Sequence, residues 1–300
     1  MTQEFELRQP APPAWRETRP LYWSVRRELW ENRFLTIAPL VVAALVVFVM
    51  LMSMFALPKN MRAAERLQAY DAVVKPFTMT PAPIMLSTIL VGFFHALDAL
   101  YGERRDRSIL FWKSLPVSDR TAVLAKAAIP LVVLPLYAFA LSLIAVVVLF
   151  LAGMFVLLAS GVGVAGWWRE FQILTEPVVM IYGLTVHALW FAPIYGWLLL
   201  ISAWARRLPL VWAALPLFAI GAVERLAFSG SRFTKFLQYR LNGAMTEAFD
   251  LGPKHDGAIE SLSELTPFRF LGTPALWAGL VFTALCLMAA VRLRRGREPI

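Results

Sequence analysis

Gly161, Gly163 and Gly166 stand in the order G-x-G-x-x-G, the spacing that holds a dinucleotide pyrophosphate against a helix N-terminus. That chemistry needs a strand leading in and a helix starting from the glycines. Here a long apolar run precedes them and Trp167-Trp168-Arg169-Glu170 follows, so they read as a flexible exit from a bilayer. No Gly-Lys dipeptide occurs, which rules out a Walker A phosphate loop on this chain. Neither a Gly-x-Ser-x-Gly elbow nor a His-Glu-x-x-His helix is present. His95, His187 and His255 lie too far apart to show ligand spacing, and Cys286 is the sole cysteine. No catalytic residue and no metal site are therefore expected.

The remaining candidates are ionisable groups within apolar stretches, where charge marks function by default. His95 and Asp98 are i, i+3 neighbours, with Asp98 in reach of Arg104 or Arg105. His187 falls nearer the middle of its stretch, where ordinary inter-helix hydrogen bonding accounts for it. Glu224 and Arg225 close another stretch, as a pathway or gate pair or as headgroup residues.

The elements that carry these groups follow from hydropathy. Apolar residues make up 59% of the chain, charged residues 16%, and the mean hydropathy is +0.63. Soluble domains hold roughly a quarter charged residues, so a soluble enzyme is excluded. Spans are expected at about 34–57, 83–100, 122–152, 179–203, 208–228 and 273–291, as one six-helix domain over 34–291. No charge interrupts Ala127 to Trp168; we read one long helix there, then an interfacial stretch to 178. Polar connections are expected over 58–82 and 229–272. Pro130, Pro135, Pro193 and Pro216 fall inside spans as candidate kinks.

Residues 1–33 precede the first span, and 21–33 has the period of an amphipathic helix. Leu21, Tyr22, Val25 and Leu29 form its stripe, and Arg27, Glu28 and Glu31 lie opposite. Trp23 and Trp30 suit the headgroup layer, so the helix is expected in plane with the membrane. Segments 1–33, 101–123, 204–208 and 292–300 hold 17 Lys/Arg in 70 residues, against 10 in 88 on the other side. The positive-inside rule makes the richer side cytoplasmic, with both termini and the basic tail 292–300 inside. The net charge of +9 thus belongs to the membrane surface and its lipid, and no nucleic-acid partner is expected.

One cytoplasmic segment stands out: YGERRDRSILFWKSLPVSDR, 101–120. Glu103, Arg104, Arg105 and Asp106 begin a dense charge cluster. Ser108 follows, then Ile109, Leu110, Phe111 and Trp112 as an apolar knob, then Lys113 and a break at Pro116. Four large apolar residues within a charged loop require cover by lipid, protein or a partner. A short helix is expected from near Asp106 to before Pro116, and a second from Ser118 as N-cap with Asp119 at its positive end.

This segment, from Glu103-Arg104 through Ser108-Ile109-Leu110-Phe111-Trp112-Lys113-Ser114-Leu115-Pro116-Val117-Ser118, resembles the permease subunit of ABC-2 type ATP-binding-cassette transporters. The resemblance is specific over about 98–126 and otherwise rests on topology. It implies an all-α integral membrane protein of six transmembrane helices in the bacterial inner membrane. An in-plane helix would precede span one, and a cytoplasmic coupling helix would lie between spans two and three. The loop would dock on a separate ATPase subunit that carries ATP and Mg, this chain holding no cofactor. Arg104, Arg105, Asp106, Phe111 and Trp112 become candidates for that surface. Pairing with a second permease subunit and, by family habit, export are implied as well. The alternatives are a non-transporting membrane scaffold or sensor, and an intramembrane enzyme, for which the reactive groups are too scattered.

Overall fold

The computed structural model describes residues 19–114, 117–171, 175–228, 230–250 and 262–296. Pro116 and Leu115, the first 18 residues and the last four residues of the basic tail lie outside the described residues. Among those described there is no strand, only an isolated antiparallel bridge between Phe249 and Leu265. Six helical stretches are long and apolar enough to cross a membrane: Phe34–Leu67, Tyr70–Arg105, Asp119–Ala159, Ala165–Trp204, Pro209–Ala227 and Pro274–Gly296. The chain is a multi-pass helical membrane protein.

The chain opens with α1 (Pro20–Glu31) and turns into α2 (Phe34–Ser53). Through a short 3₁₀ turn, α2 continues into α3 (Leu57–Leu67), and α4 (Tyr70–Thr78) follows. The polar stretch expected over 58–82 is thus largely helical. The cause lies in Leu57, Met61 and Ala64, which recur on one face and are buried, while the charged residues of α3 face out. Gln68, with φ 52°, ends α3 in the left-handed region.

Next come α5 (Pro81–Arg105), α6 (Ser108–Ser114) and α7 (Asp119–Ala128). Ser118 caps α7 as expected, its Oγ accepting the Thr121 N–H at 3.1 Å. A π-helical turn at Ile129–Val133 joins α7 to α8 (Leu134–Ala159). It falls where Pro130 and Pro135 both lack an N–H, so the widened turn absorbs the lost i→i−4 bonds without breaking the span.

The glycine-rich stretch is an ordered turn. Gly161 adopts φ 64° after α8, and the Arg62 guanidinium donates to the Ser160 carbonyl at 2.8 Å. The following helix α9 (Ala165–Phe171) inserts Trp167 into the notch left by Gly153, and Gly166 lies against the Tyr70 ring. A Cβ at either glycine would collide with the aromatic ring. These glycines serve close packing, and α4, α9 and the far end of α8 form a capped cluster.

The chain closes with α10 (Thr175–Trp204), α11 (Pro209–Phe228), α12 (Arg232–Ala248), α13 (Pro267–Gly272) and α14 (Pro274–Gly296). Helix α10 is central and packs most extensively on α14 and α5. Small residues let the backbones close up: Gly196 of α10 faces Thr283 of α14, and Gly92 of α5 faces Pro130. Helix α11, by contrast, keeps most of its apolar surface exposed. The segment expected as a polar connection over 229–272 contains α12 and α13, and α12 packs against α10.

Candidate docking site and its buried charge network

The α5–α6–α7 elbow, α1, the α10–α11 turn and the end of α14 gather on one face, called here the basic face. The turn from α5 to α6 passes through Arg107 at φ 56°. Helix α6 then splits the Ile-Leu-Phe-Trp knob three ways. Ile109 is buried and roots the helix on the bundle. Trp112 is half-buried, its ring under the Arg27 guanidinium of α1 at 3.8 Å. Leu110 and Phe111 remain 59% and 60% exposed. Lys113 donates to the Arg295 carbonyl at 3.3 Å, tying α6 to α14 as well.

Beneath α6 lies a buried ionic cluster drawn from four helices. Lys126 of α7 meets Glu28 of α1 at 2.7 Å and Glu103 of α5 at 3.1 Å. Arg27 adds contacts of 2.9 Å to Glu28 and 3.6 Å to Glu103. Arg294 of α14 reaches Glu103 at 3.1 Å and also pairs with Asp119. Glu103 and Asp119 stand on either side of α6, so a single guanidinium bridges the two ends of the elbow. Burial raises the Glu28 carboxyl, but the Lys126 ammonium and the Arg27 guanidinium outweigh that and hold it down at about 2. The neighbouring Glu31 is pushed up, mainly by burial.

This corrects two expectations. Glu28 was expected on the outward polar face of the first helix, yet only 1% of it is exposed. The helix turns Ser24 and Glu28 inward and leaves Leu21, Tyr22, Trp23 and Trp30 outside. The reason is chemical: a buried ammonium at Lys126 requires carboxylates, and Glu28 and Glu103 are the ones that meet it. Likewise Glu103 and Arg104, candidates for an external docking surface, are both buried. Arg104 donates to the carbonyls of Ser202 and Ala205, pinning the end of α10. Arg105 and Asp106 are exposed and bond each other at 2.9 Å, and Arg105 is also 3.8 Å from Asp98. Ser108 donates to the Glu103 carbonyl at 3.4 Å.

The other candidates do not converge. His95 is buried in α5, and its Nε2 has no hydrogen-bond partner among the described residues. His187 stacks on Phe191 and lies 3.3 Å from the Tyr195 hydroxyl, all on α10, so its bond is within one helix and not between helices. Glu224 caps α12, its two oxygens accepting the Arg232 and Phe233 N–H groups at 2.7 and 2.9 Å. Arg225 is exposed. No group of three or more His, Cys, Asp or Glu side chains suited to a metal occurs among the described residues. Sequence reasoning passed over Lys126, Arg294 and Arg240. Lys126 is a lone cation at the start of an apolar run, and that placement was an available signal; Arg294 in the basic tail and Arg240 in a polar connection carried none.

Comparison of the chain with models of protein families, with curated proteins and with solved structures returns no match. The fold and site define a multi-pass helical membrane protein whose basic face carries a charge-anchored helical elbow with an exposed apolar tip.

Proposed function

We propose that this chain is the permease subunit of an ABC-2 type transporter, moving substrate outward across a bacterial inner membrane. ATP is hydrolysed on a separate ATP-binding-cassette subunit, and a second permease chain completes the unit. Helix α1 lies in the membrane plane on the cytoplasmic side, and α6 is the coupling helix. The observation that carries this reading is the α6 tip: Leu110 and Phe111 are exposed while Ile109 and Trp112 are gripped from below. An apolar tip on a charged face is costly alone and suits a groove on a partner.

The anchoring favours the same reading. A lever has to be stiff where it meets the spans, and α6 is tied to α1 and α14, with the α5 and α7 ends locked beneath it. Closure of an ATPase under the tip would move α5, α7 and α14 together, a rigid-body shift of packed helices. Binding that differs between the ATP-bound and free states would supply the bias.

The test is copurification of the chain from its native membrane with an ATP-binding-cassette ATPase subunit. The expected result is a stable complex that hydrolyses ATP, lost when Leu110 and Phe111 are both replaced by Ala. A chain that inserts normally and captures no such subunit would exclude the proposal.

A further inference from the structure

Arg240, midway along α12, is a buried cation with no acid paired to it among the described residues. It is 7% exposed, and its guanidinium lies over the Trp190 ring, 4.6 Å from the centroid. Nη1 donates to the Ala275 carbonyl at 3.2 Å, while Nε and Nη2 have no hydrogen-bond partner among the described residues. The carboxylate nearest along its own helix, Glu247, is engaged by Tyr239, Thr273 and Arg269. The absence of Cβ at Gly279 of α14 makes room for the guanidinium, which sits there beside Pro193 of α10. Arg240 therefore plugs the seam between α10 and α14.

Its burial makes this costly. Trp190 stands 14 residues from Trp204 at the basic-face end of α10, about 21 Å of helix. Gly279 stands 13 residues from Arg292, about 20 Å. Glu224, which caps α12, is likewise 15 residues, about 23 Å, from Pro209, so Arg240 lies between the helices at the depth of that charged end, away from the basic face. Arginine does not lose its proton in proteins. One carbonyl and one aromatic face leave the N–H groups of Nε and Nη2 unmet where the side chain is buried. Such groups mark ligand pathways.

We propose that Arg240 is the anion-recognising residue of a ligand site under α12, taking the phosphate or carboxylate group of an amphiphile. The amphiphile is a bilayer lipid or, on the transport reading above, the cargo. Trp190 and Pro193 offer an apolar wall beside the guanidinium. Phe233, two turns earlier on the same stripe of α12, lines an open surface groove with Ala219, Ile220 and Val223. The Glu224 carboxylate at its edge is already occupied as the cap of α12. Lifting α12 from the α10–α14 seam presents the free N–H groups to the anion.

The experiment uses the full chain and no ATPase. Protein extracted from vesicles of equal parts phosphatidylglycerol and phosphatidylcholine is weighed by native mass spectrometry for retained lipid. Delipidated protein is separately titrated with dodecyl phosphate. Wild type and Arg240→Lys should retain anionic amphiphile. Arg240→Gln should bind about tenfold more weakly, the loss of a charge-assisted contact. Gly279→Ala keeps the charge but displaces the guanidinium, and should weaken binding as well. An Arg240-dependent preference for phosphatidylglycerol identifies a bilayer lipid; dependence with dodecyl phosphate alone identifies a cargo-type ligand. Wild-type binding of both probes by Arg240→Gln, or by Gly279→Ala should Arg240→Gln not fold, overturns the site. So does wild type without anion preference. Neither failure touches the ATPase copurification, and loss of that complex leaves the lipid result standing.

Discussion

Arg294 on the last span and Glu103 at the foot of the second meet at 3.1 Å, although 191 positions separate them in the chain. The same guanidinium pairs with Asp119 beyond α6. Both side chains are almost fully buried, so the pair is a lock whose loss leaves an uncompensated charge. Replacing Glu103 by Gln should destabilise the chain by about 3–5 kcal/mol. The double variant Glu103→Gln, Arg294→Gln should lose less than the sum of the single changes. Thermal unfolding in detergent measures both, and strict additivity would mean the two do not interact.

Acid should act on this cluster in a defined window. The Glu28 carboxyl is ordinarily near 4.5 and is held at about 2 in the fold. Its stabilising contribution is complete above 4.5 and disappears as pH falls toward 2. Melting temperature followed between pH 6 and 2 should drop in that window for wild type and more shallowly for Glu28→Gln. Equal slopes would remove Glu28 from the account.

Trp167 fills the space that a side chain at Gly153 would need. Gly153→Ala should therefore cost about 1–3 kcal/mol, the usual cost of overpacking. A calorimetric or fluorescence melt of that variant reads the effect directly, and an unchanged melt would show that the ring yields.

The hold of α1 on α6 rests on Arg27 over the Trp112 ring. Arg27→Ala should release about 0.5–2 kcal/mol of local order, seen as faster amide exchange over 108–114. Protection equal to wild type would show that Ile109 and Lys113 anchor the helix without Arg27.

Hydropathy made the six spans legible; the uncharged run from Ala127 to Trp168 is long enough for two thin spans, and the lack of a turn signal before Gly153 favoured one. The cap at Ser118 was equally local and was readable. Less visible was which way a helix face turns. Periodicity grouped Arg27, Glu28 and Glu31, but only the position of Lys126, 98 residues from Glu28, decides that Glu28 points inward. The same limit hid Glu103: a charge in a charged loop looks solvated until Arg294 is brought over it. The helices α3 and α12 were read as polar connections since their buried faces are short and interrupted by charge. Gly166 carried a packing signal that a dinucleotide-like pattern obscured.

The central claim is that the α6 tip docks a separate ATPase. The most direct measurement is the affinity of that ATPase subunit for the full chain in lipid nanodiscs, wild type against Leu110→Ala, Phe111→Ala. Removing two apolar anchors should weaken binding by about tenfold or more with the melting temperature unchanged. Equal affinity for wild type and the double variant would contradict the account.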